Sequence, residues 1–243
     1  PHNYIPMSYL DWLRTQEMTF EKSRKQPRGY TDGCVSWLAD VPELYSRRAP
    51  GHTCISALNQ YRKDMLPQND SKGCGGIMRV APMALINYSH VPIEKLDREG
   101  AEIAKITHRH SLGYMPAAVL VHIISRIVYP KKRQSLKEIV IEARDTAADI
   151  FAGDGYLKKL TEIIDLAVSL SENSESDLDN IHQIGEGWVA EETLGIAIYC
   201  ALRYQEDFSA GVIAAVNHKG DSDSTGAVTG NILGALVGYE AIE

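Results

Sequence analysis

Residues 116–128 read PAAVLVHIISRIV and are almost entirely apolar. A segment that is apolar on every side is buried on every side, so we expect a helix at the centre of the hydrophobic core. Neither this run nor any other is long enough to cross a membrane, since a spanning helix needs about 20 apolar residues. The start of the chain does not have the pattern of a signal peptide.

The segments around this run repeat apolar residues with the period of an α-helix, whereas strand patterns are poor throughout. Helices are predicted over 8–20, after PGHTC (50–54), within VAPMALINY (80–88), along the stripe from Ile93 to Thr107, and over 116–128, 136–151 and 156–170. A further helix is predicted with Glu191 and Glu192 in its first turn, and the last begins near Ser224. Residues 24–33 and 171–180 are polar and are predicted loops. The pattern predicts an all-α fold, a compact orthogonal bundle of about ten helices in a single domain.

The chain has 243 residues and a net charge of −7, from 25 basic and 32 acidic side chains. This balance argues against a surface that coats nucleic acid, because binding to a phosphate backbone needs clustered lysine and arginine. Four cysteines are scattered without a zinc-binding spacing: Cys34, Cys54, Cys74 and Cys200. They are typical of a reduced, intracellular protein, so we expect a cytoplasmic location.

Residues 220–226, GDSDSTG, gather hard oxygen donors at the start of the last predicted helix. Asp221, Asp223 and Ser224 offer the oxygen ligands that Mg²⁺, Mn²⁺ or Ca²⁺ prefer. The alternative is a helix N-cap, for which Ser and Asp are also preferred, although one cap needs only one such residue. An EF-hand is excluded, because the position that needs a carboxylate is Ile232.

The same helix carries a glycine at every fourth position: Gly226, Gly230, Gly234 and Gly238. Each glycine inside a helix costs about 1 kcal/mol relative to alanine, so close approach of a neighbour must offset the loss. We expect that neighbour to be another helix.

Three further segments have both a binding and a structural interpretation. Residues 71–79, SKGCGGIMR, place three glycines before a predicted helix, which suits either an anion cradle or an ordinary turn. In that segment Arg79 is either a phosphate partner or a salt-bridge residue. His108 continues an apolar stripe and is either a core histidine or a ligand contact. Trp188, in GEGWVAEE (185–192), either anchors a loop by burial or forms the wall of a ligand site.

Five segments together resemble the ADP-ribosylglycohydrolase family. They are APGHTCISAL (49–58), SKGCGGIMRVAPMAL (71–85), THRHSLGYMPAA (107–118), GEGWVAEETLGIAIYCAL (185–202) and NHKGDSDSTGAVTGNILGA (217–235). The resemblance extends from YLDWLRTQ (9–16) to the end of the chain. It implies an all-α fold that binds two divalent cations, Mg²⁺ or Mn²⁺, and cleaves the bond between ADP-ribose and an acceptor.

The resemblance also assigns residues. Asp221, Asp223 and Ser224 match an Asp-x-Asp-Thr metal motif, with Ser in place of Thr. The loop that holds the diphosphate is matched by Ser71, Lys72, Gly73, Cys74 and Gly75, with Cys74 where Asn is common. His108 matches a histidine that lines the ADP-ribose site. The substrate would be an ADP-ribosylated protein or a small molecule that contains ADP-ribose, and the sequence does not choose the acceptor.

The family carries a Thr-Asp-Asp-Thr motif, preceded by an acidic residue, upstream of the segment that matches YLDWLRTQ. We therefore expect the catalytic carboxylate and the other metal ligands upstream of Pro1, and we interpret 1–243 as an ADP-ribosylglycohydrolase-like domain that lacks its N-terminal helices. YTDG (30–33) lies downstream of that landmark and is rejected as a substitute. Residues 1–243 alone are expected not to hydrolyse the substrate.

Two other functions remain open at this point. One is a non-catalytic relative that binds ADP-ribose or serves structurally. The other is a different metal-dependent nucleotide hydrolase on an all-α scaffold, although the adjacent His-Asp pair of the His-Asp phosphohydrolases does not occur here.

Overall fold

The computed structural model describes residues 4–25, 36–86 and 91–242. The α-helices of these residues are α1 (Tyr4–Glu17), α2 (Phe20–Lys25), α3 (His52–Tyr61), α4 (Ala81–Ala84), α5 (Ile93–Lys105), α6 (Ser111–Val128), α7 (Leu136–Ile150), α8 (Leu157–Ser171), α9 (Asp177–Ile184), α10 (Ala190–Arg203), α11 (Phe208–Val216) and α12 (Ser222–Val237). In the same residues, 3₁₀ helices cover Trp37–Asp40, Pro42–Leu44, Cys74–Arg79 and Tyr239–Ala241. Within the described ranges, extended backbone pairs only at a single bridge between Gly73 and Val189. The all-α prediction is confirmed.

The chain divides into two compact units. The first unit comprises residues 1–71 and 106–109, and the second comprises 72–105 and 110–243. The assignment of 1–243 to one family domain stays a prediction.

In the first unit, hydrogen bonds tie α2 to α1 and to the segment that follows. The Ser23 hydroxyl accepts from Arg14 Nε at 2.7 Å and lies 2.8 Å from the Tyr45 hydroxyl. Tyr45 in turn donates to the Ala39 carbonyl. The Asp11 carboxylate accepts from the Ser36 backbone at 2.9 Å, so a buried acid of α1 fixes the start of the first 3₁₀ helix.

The second unit is built around α6, which packs against α5, α7, α10 and α12. All of its side chains from Met115 to Ser125 are buried, as its composition predicts. The approach of α5 is close, because a Cβ added to Gly100 would lie 2.7 Å from Val121 Cγ2. A glycine is therefore required where these two helices meet.

The sequence analysis expected no segment long and apolar enough to span a membrane, and this expectation is wrong. Helix α6 has 18 residues and passes both criteria, because Ser111–Tyr114 add to the apolar run. Of this window, 72% is buried inside the protein. Its apolar side chains therefore pack against other helices of the second unit.

One polar side chain within α6 has a buried partner. His122 is fully buried, and its Nδ1 lies 2.7 Å from Oδ2 of Asp97 on α5, which is also buried. Burial raises the pKa of Asp97, although the hydrogen bond to His122 opposes that rise. The pair links α5 to α6 within the core.

Several helix boundaries differ from the sequence expectation. Residues 171–180 are not all loop, because Ser176 caps α9 by accepting from the Asp179 backbone. Helix α11 was not predicted, since its nearly continuous apolar sequence hides the helical period. Thr107 lies beyond the end of α5. The predicted loop over 24–33 overlaps α2 at Arg24 and Lys25, and its remaining residues lie outside the described ranges.

The glycines of α12 face α11, as expected for a helix neighbour. A Cβ on Gly226 would lie 2.5 Å from Val216 Cγ1, whereas Gly230 and Gly234 face Phe208 at ordinary contact distances. Gly238 is outside the helix and caps its C-terminus with φ +77°. Close approach thus requires glycine at Gly226, where α11 and α12 meet near the start of α12.

Candidate active site

The acidic cluster lies at the N-terminus of α12, in the second unit. Asp221 is the N-cap residue, but its side chain makes no capping hydrogen bond. Its backbone N–H donates to the Glu186 carbonyl at 2.8 Å. The carboxylate of Asp221 therefore does not cap the helix, and it can contact other groups.

The Asp221 carboxylate meets the glycine-rich segment 72–79. The Cys74 thiol donates to Asp221 Oδ2 at 2.9 Å, and the Ser224 hydroxyl donates to the same oxygen at 2.9 Å. Ser224 Oγ also lies 3.1 Å from Met78 Sδ and 3.2 Å from Cys74 Sγ. Segments 147 residues apart in sequence thus meet at one buried carboxylate.

Asp223 lies beside Asp221, and the two carboxyl groups influence each other. A hydrogen bond with Asp221 raises the pKa of Asp223, and burial adds to the rise. Burial raises the pKa of Asp221, but hydrogen bonds with Asp223, Cys74 and Ser224 outweigh it and leave the pKa below its ordinary value. Two carboxylates this close repel when both are ionised, so a divalent cation between them would lower the free energy.

The loop 185–189 packs against the start of α12. Glu192 Oε2 accepts from the backbone N–H groups of Glu186 and Gly187, both at 3.1 Å. Gly187 has φ +79°, and a Cβ there would lie 2.6 Å from Thr225 Cγ2. Sequence reasoning missed Glu192 as the side chain that fixes this loop, although an acid in the first turn of a helix after a Gly-x-Gly loop was a usable signal.

Trp188 is 56% exposed, so it does not anchor the loop by burial. Its indole N–H donates to Glu186 Oε2 at 3.2 Å. The interpretation of this residue as the wall of a ligand site stays a prediction.

The glycines precede helix α4, as predicted, but Gly75 and Gly76 also lie within a 3₁₀ helix that was not predicted. Gly73 caps the 3₁₀ helix Cys74–Arg79, which contains Gly75. Gly73 pairs with Val189, and the Lys72 carbonyl accepts from the Ala190 backbone at 2.9 Å. The Arg79 side chain donates to the Gly75 carbonyl, which stabilises the 3₁₀ helix that contains both residues.

A histidine supports the backbone just before the acidic cluster. The Gly220 N–H donates to His218 Nδ1 at 3.1 Å, which makes that nitrogen the acceptor. His218 Nε2 lies 3.0 Å from the Thr225 hydroxyl, which itself donates to the Ala215 carbonyl at 2.7 Å. In this pattern Nδ1 accepts a hydrogen bond and Nε2 is the ring nitrogen that donates.

The first unit holds the other two candidate residues, Ser71 and His108. Asn69 joins their segments, since its side-chain oxygen accepts from the backbones of Ser71 at 3.1 Å and Arg109 at 3.2 Å. His108 is buried, and its Nδ1 lies 2.8 Å from the Thr107 hydroxyl. Asn69 was missed by sequence reasoning, and its position two residues before Ser71 is typical of an Asx turn.

The second unit thus brings together Lys72, Gly73, Cys74, Gly75, Asp221, Asp223 and Ser224. Their donor chemistry fits a hard divalent cation, because two carboxylates and a hydroxyl supply oxygen. Among residues 4–25, 36–86 and 91–242, no group of three or more His, Cys, Asp or Glu side chains is arranged to hold a metal ion. Asp221 and Asp223 fit as one part of a coordination sphere, which other ligands must complete.

The Cys74 thiol should react unusually slowly. Burial, the hydrogen bond to Asp221 and the charge of that carboxylate raise its pKa to about 12. At pH 8 the thiolate fraction would be about a thousandfold below that of an ordinary thiol, and only the thiolate is nucleophilic. We expect Cys74 to be alkylated by iodoacetamide at least 100-fold more slowly than glutathione (an order-of-magnitude estimate), measured by peptide mass spectrometry over time.

Asp221→Asn is the matched variant for this prediction. It removes the negative charge beside the thiol, so alkylation of Cys74 should become faster. Alkylation of the native protein at the rate of glutathione would contradict a half-buried thiol that donates a hydrogen bond to Asp221.

A family model described as ADP-ribosylglycohydrolase matches residues 5–243, nearly the whole chain. The chain belongs to the ADP-ribosylglycohydrolase family.

Similar proteins agree with this assignment. ADP-ribosylhydrolase ARH3 of Bos taurus is 27% identical over 197 residues, which cover 71% of this chain and 52% of that protein. ADP-ribosylhydrolase ARH3 of Gallus gallus is 30% identical over 199 residues, which cover 71% and 51% respectively. The protein YegU of Escherichia coli strain K12 is 27% identical over 213 residues, 83% of this chain and 62% of that protein. The chain thus spans about half the length of these ARH3 proteins.

Proposed function

We propose that this protein is a divalent-cation-dependent hydrolase that releases ADP-ribose from an acceptor. The family supports the reaction class. The observation that carries the cation dependence is that Asp221, although it is the N-cap residue of α12, does not cap the helix with its side chain. The Asp221 carboxylate is instead held by Cys74 and Ser224 beside a second carboxylate, and a cation would stabilise the negative charge gathered there.

Asp221, Asp223 and Ser224 would hold the cations, two Mg²⁺ or Mn²⁺ ions in the proposal. Bound there, the ions would orient water and the ribose hydroxyl groups at the bond to be cleaved. Cys74 and Ser224 donate to one oxygen of Asp221, so that carboxylate is held in one orientation before any ligand arrives. Preorganised ligands bind more tightly because less conformational freedom is lost on binding.

The substrate-binding part of the proposal concerns Ser71, Lys72, Gly73, Cys74, Gly75 and His108. Backbone N–H groups of the glycine-rich segment would bind the diphosphate, and His108 would line the ADP-ribose site. Binding far from the reacting carbon lets the site use the whole ligand to stabilise the transition state. The relatives named ADP-ribosylhydrolase motivate an ADP-ribosylated protein or an ADP-ribose-containing small molecule as substrate, with an N- or O-glycosidic bond.

A non-catalytic ADP-ribose-binding protein is the second candidate. It is favoured by the small number of acidic ligands in the described cluster, since no group of three is present in those parts of the chain. A hydrolase for another nucleotide has no comparable support.

The proposed function is tested by assaying ADP-ribose release with the protein at its natural length, since residues 1–243 alone are expected not to release it. Peptides ADP-ribosylated on arginine or serine are incubated with Mg²⁺, with Mn²⁺ or with EDTA, and free ADP-ribose is measured by mass spectrometry. We expect release with either metal and none with EDTA. Calorimetric binding of ADP-ribose without release from any substrate would instead support the non-catalytic protein, and release of phosphate from ATP would support another hydrolase.

A further inference from the structure

A buried carboxylate lies beside the glycine-rich segment and is not used by the proposed reaction. Glu191, in the first turn of α10, has a fully buried side chain. Its Oε1 lies 3.0 Å from Lys72 Nζ and 3.0 Å from Lys159 Nζ. Its Oε2 is buried and has no hydrogen-bond partner within the described residues.

Two ammonium groups lie on the Glu191 carboxylate, where they exceed its single negative charge, and the charge of Glu192 also reaches Lys72. Since both nitrogens are 3.0 Å from the same oxygen, they lie within about 6 Å of each other, where two unit positive charges repel. The side chains of Lys72 and Lys159 are 37% and 51% exposed, so the charge faces solvent. An ammonium group has three N–H donors, and a single bond to Glu191 leaves the others for a ligand.

The position of this lysine pair is fixed by the backbone as well. The Lys72 carbonyl accepts from Ala190, the residue before Glu191, so the main chain and side chain of Lys72 are both held by the start of α10. Lys72 is two residues from Cys74, a span of at most about 7 Å along the chain. The Cα atom of Lys72 therefore lies close to that of Cys74, whose thiol contacts Asp221.

We propose that Lys72 and Lys159 together bind a phosphate group of the substrate, and that Glu191 is the positioning residue that holds the two ammonium groups side by side. The proposal rests on the proposed function for the identity of the ligand, and it adds Lys159 of α8 to the site. A lysine restrained by a buried partner loses less side-chain entropy when it binds an anion. The ligand class is an organic diphosphate, with the negative charge that a two-lysine site requires.

Lys159→Met tests the proposal, with Lys158→Met as its matched control. Lys158 is the neighbouring residue of α8, is 84% exposed and pairs only with Glu162 among the described residues. Calorimetry measures the Kd for ADP-ribose, AMP, inorganic pyrophosphate and adenosine. We expect Lys159→Met to weaken the binding of pyrophosphate and ADP-ribose about tenfold at low salt, because the ligand loses one charged hydrogen-bond donor that solvent partly screens. Adenosine should be unaffected, and Lys158→Met should resemble the native protein for every ligand.

The comparison of ADP-ribose with AMP distinguishes a subsite for a diphosphate from a subsite for a single phosphate. A larger effect of Lys159→Met on ADP-ribose than on AMP supports the diphosphate, whereas an equal Kd for native and variant protein with all phosphates overturns the inference. An equal loss of affinity in Lys158→Met also overturns the inference, because any positive charge on α8 would then have the same effect. A lower melting temperature of Lys159→Met with an unchanged Kd overturns it as well, because Lys159 would then have only a structural role. If pyrophosphate binding depends on Lys159 but ADP-ribose neither binds nor is released, the phosphate subsite stands and the proposed function fails.

Discussion

Replacing Asp223 with asparagine is expected to reduce ADP-ribose release to background and to weaken Mg²⁺ binding by about 100-fold, because the site loses a charged ligand and keeps its shape. Asp223 is exposed at the mouth of the cluster, beside the nearly buried Asp221. The measurements are calorimetric titration of Mg²⁺ and Mn²⁺, and the shift in melting temperature that each metal produces, since a ligand that binds only the folded state raises its stability.

The stability of Asp223→Asn in EDTA separates a metal ligand from a helix cap. The substitution removes repulsion with Asp221, so the metal-free variant should unfold at the native temperature or slightly above it. Asp179→Asn is the control, since Asp179 is an exposed acid in the first turn of another helix, α9. If Asp223→Asn bound metal as tightly as the native protein but melted at a lower temperature, the cluster would have a structural role and would not bind metal through Asp223.

The second large effect is expected for Gly220→Ala. A Cβ at this position would lie 1.8 Å from the Glu186 carbonyl oxygen and 2.6 Å from its carbon, so the backbone of the 185–189 loop must move. The movement breaks the 2.8 Å hydrogen bond from the Asp221 backbone to the same carbonyl. We expect the free energy of unfolding to fall by about 3 kcal/mol, as for other overpacked sites, and the metal-induced melting shift to disappear.

Gly230→Ala is the matched substitution in the same part of the chain. Its nearest neighbour would be Phe208 Cζ at 4.0 Å, and alanine is favoured over glycine within a helix by about 1 kcal/mol. Denaturant unfolding should therefore show a small gain for Gly230→Ala and a large loss for Gly220→Ala. A native free energy of unfolding in Gly220→Ala, with native metal binding, would contradict the close packing of the loop against α12.

The sequence was informative where one periodicity or one residue type dominated. The apolar run of α6 predicted a buried central helix, and Glu191 and Glu192 marked the start of α10, both as found. Helix α11 was missed because apolar residues on all of its faces carry no 3.6-residue period. The 3₁₀ helix over Cys74–Arg79 was missed because glycines, which usually interrupt helices, are tolerated in so short a turn.

The candidate site was predictable as a set of residues but not as an arrangement. The acid cluster was evident from the sequence, yet the choice between a cap and a ligand depended on where the Asp221 side chain points, which only tertiary contacts decide. Cys74 offered no sequence signal for its partner, because Asp221 is 147 residues away. The same holds for Lys159, whose neighbour Glu191 comes from a different helix.

The long sequence separation between Cys74 and Asp221 has a consequence for synthesis of the protein. Chain segments emerge from the ribosome in order, and a contact between distant segments forms only after both are available, at an entropic cost that grows with the intervening length. The contact of Cys74 with Asp221 can therefore form only after α4 to α11 have been synthesised. Under the proposed function, the cluster could bind a cation only after translation has passed the start of α12, so measuring bound metal on stalled nascent chains of graded length would show when the site forms.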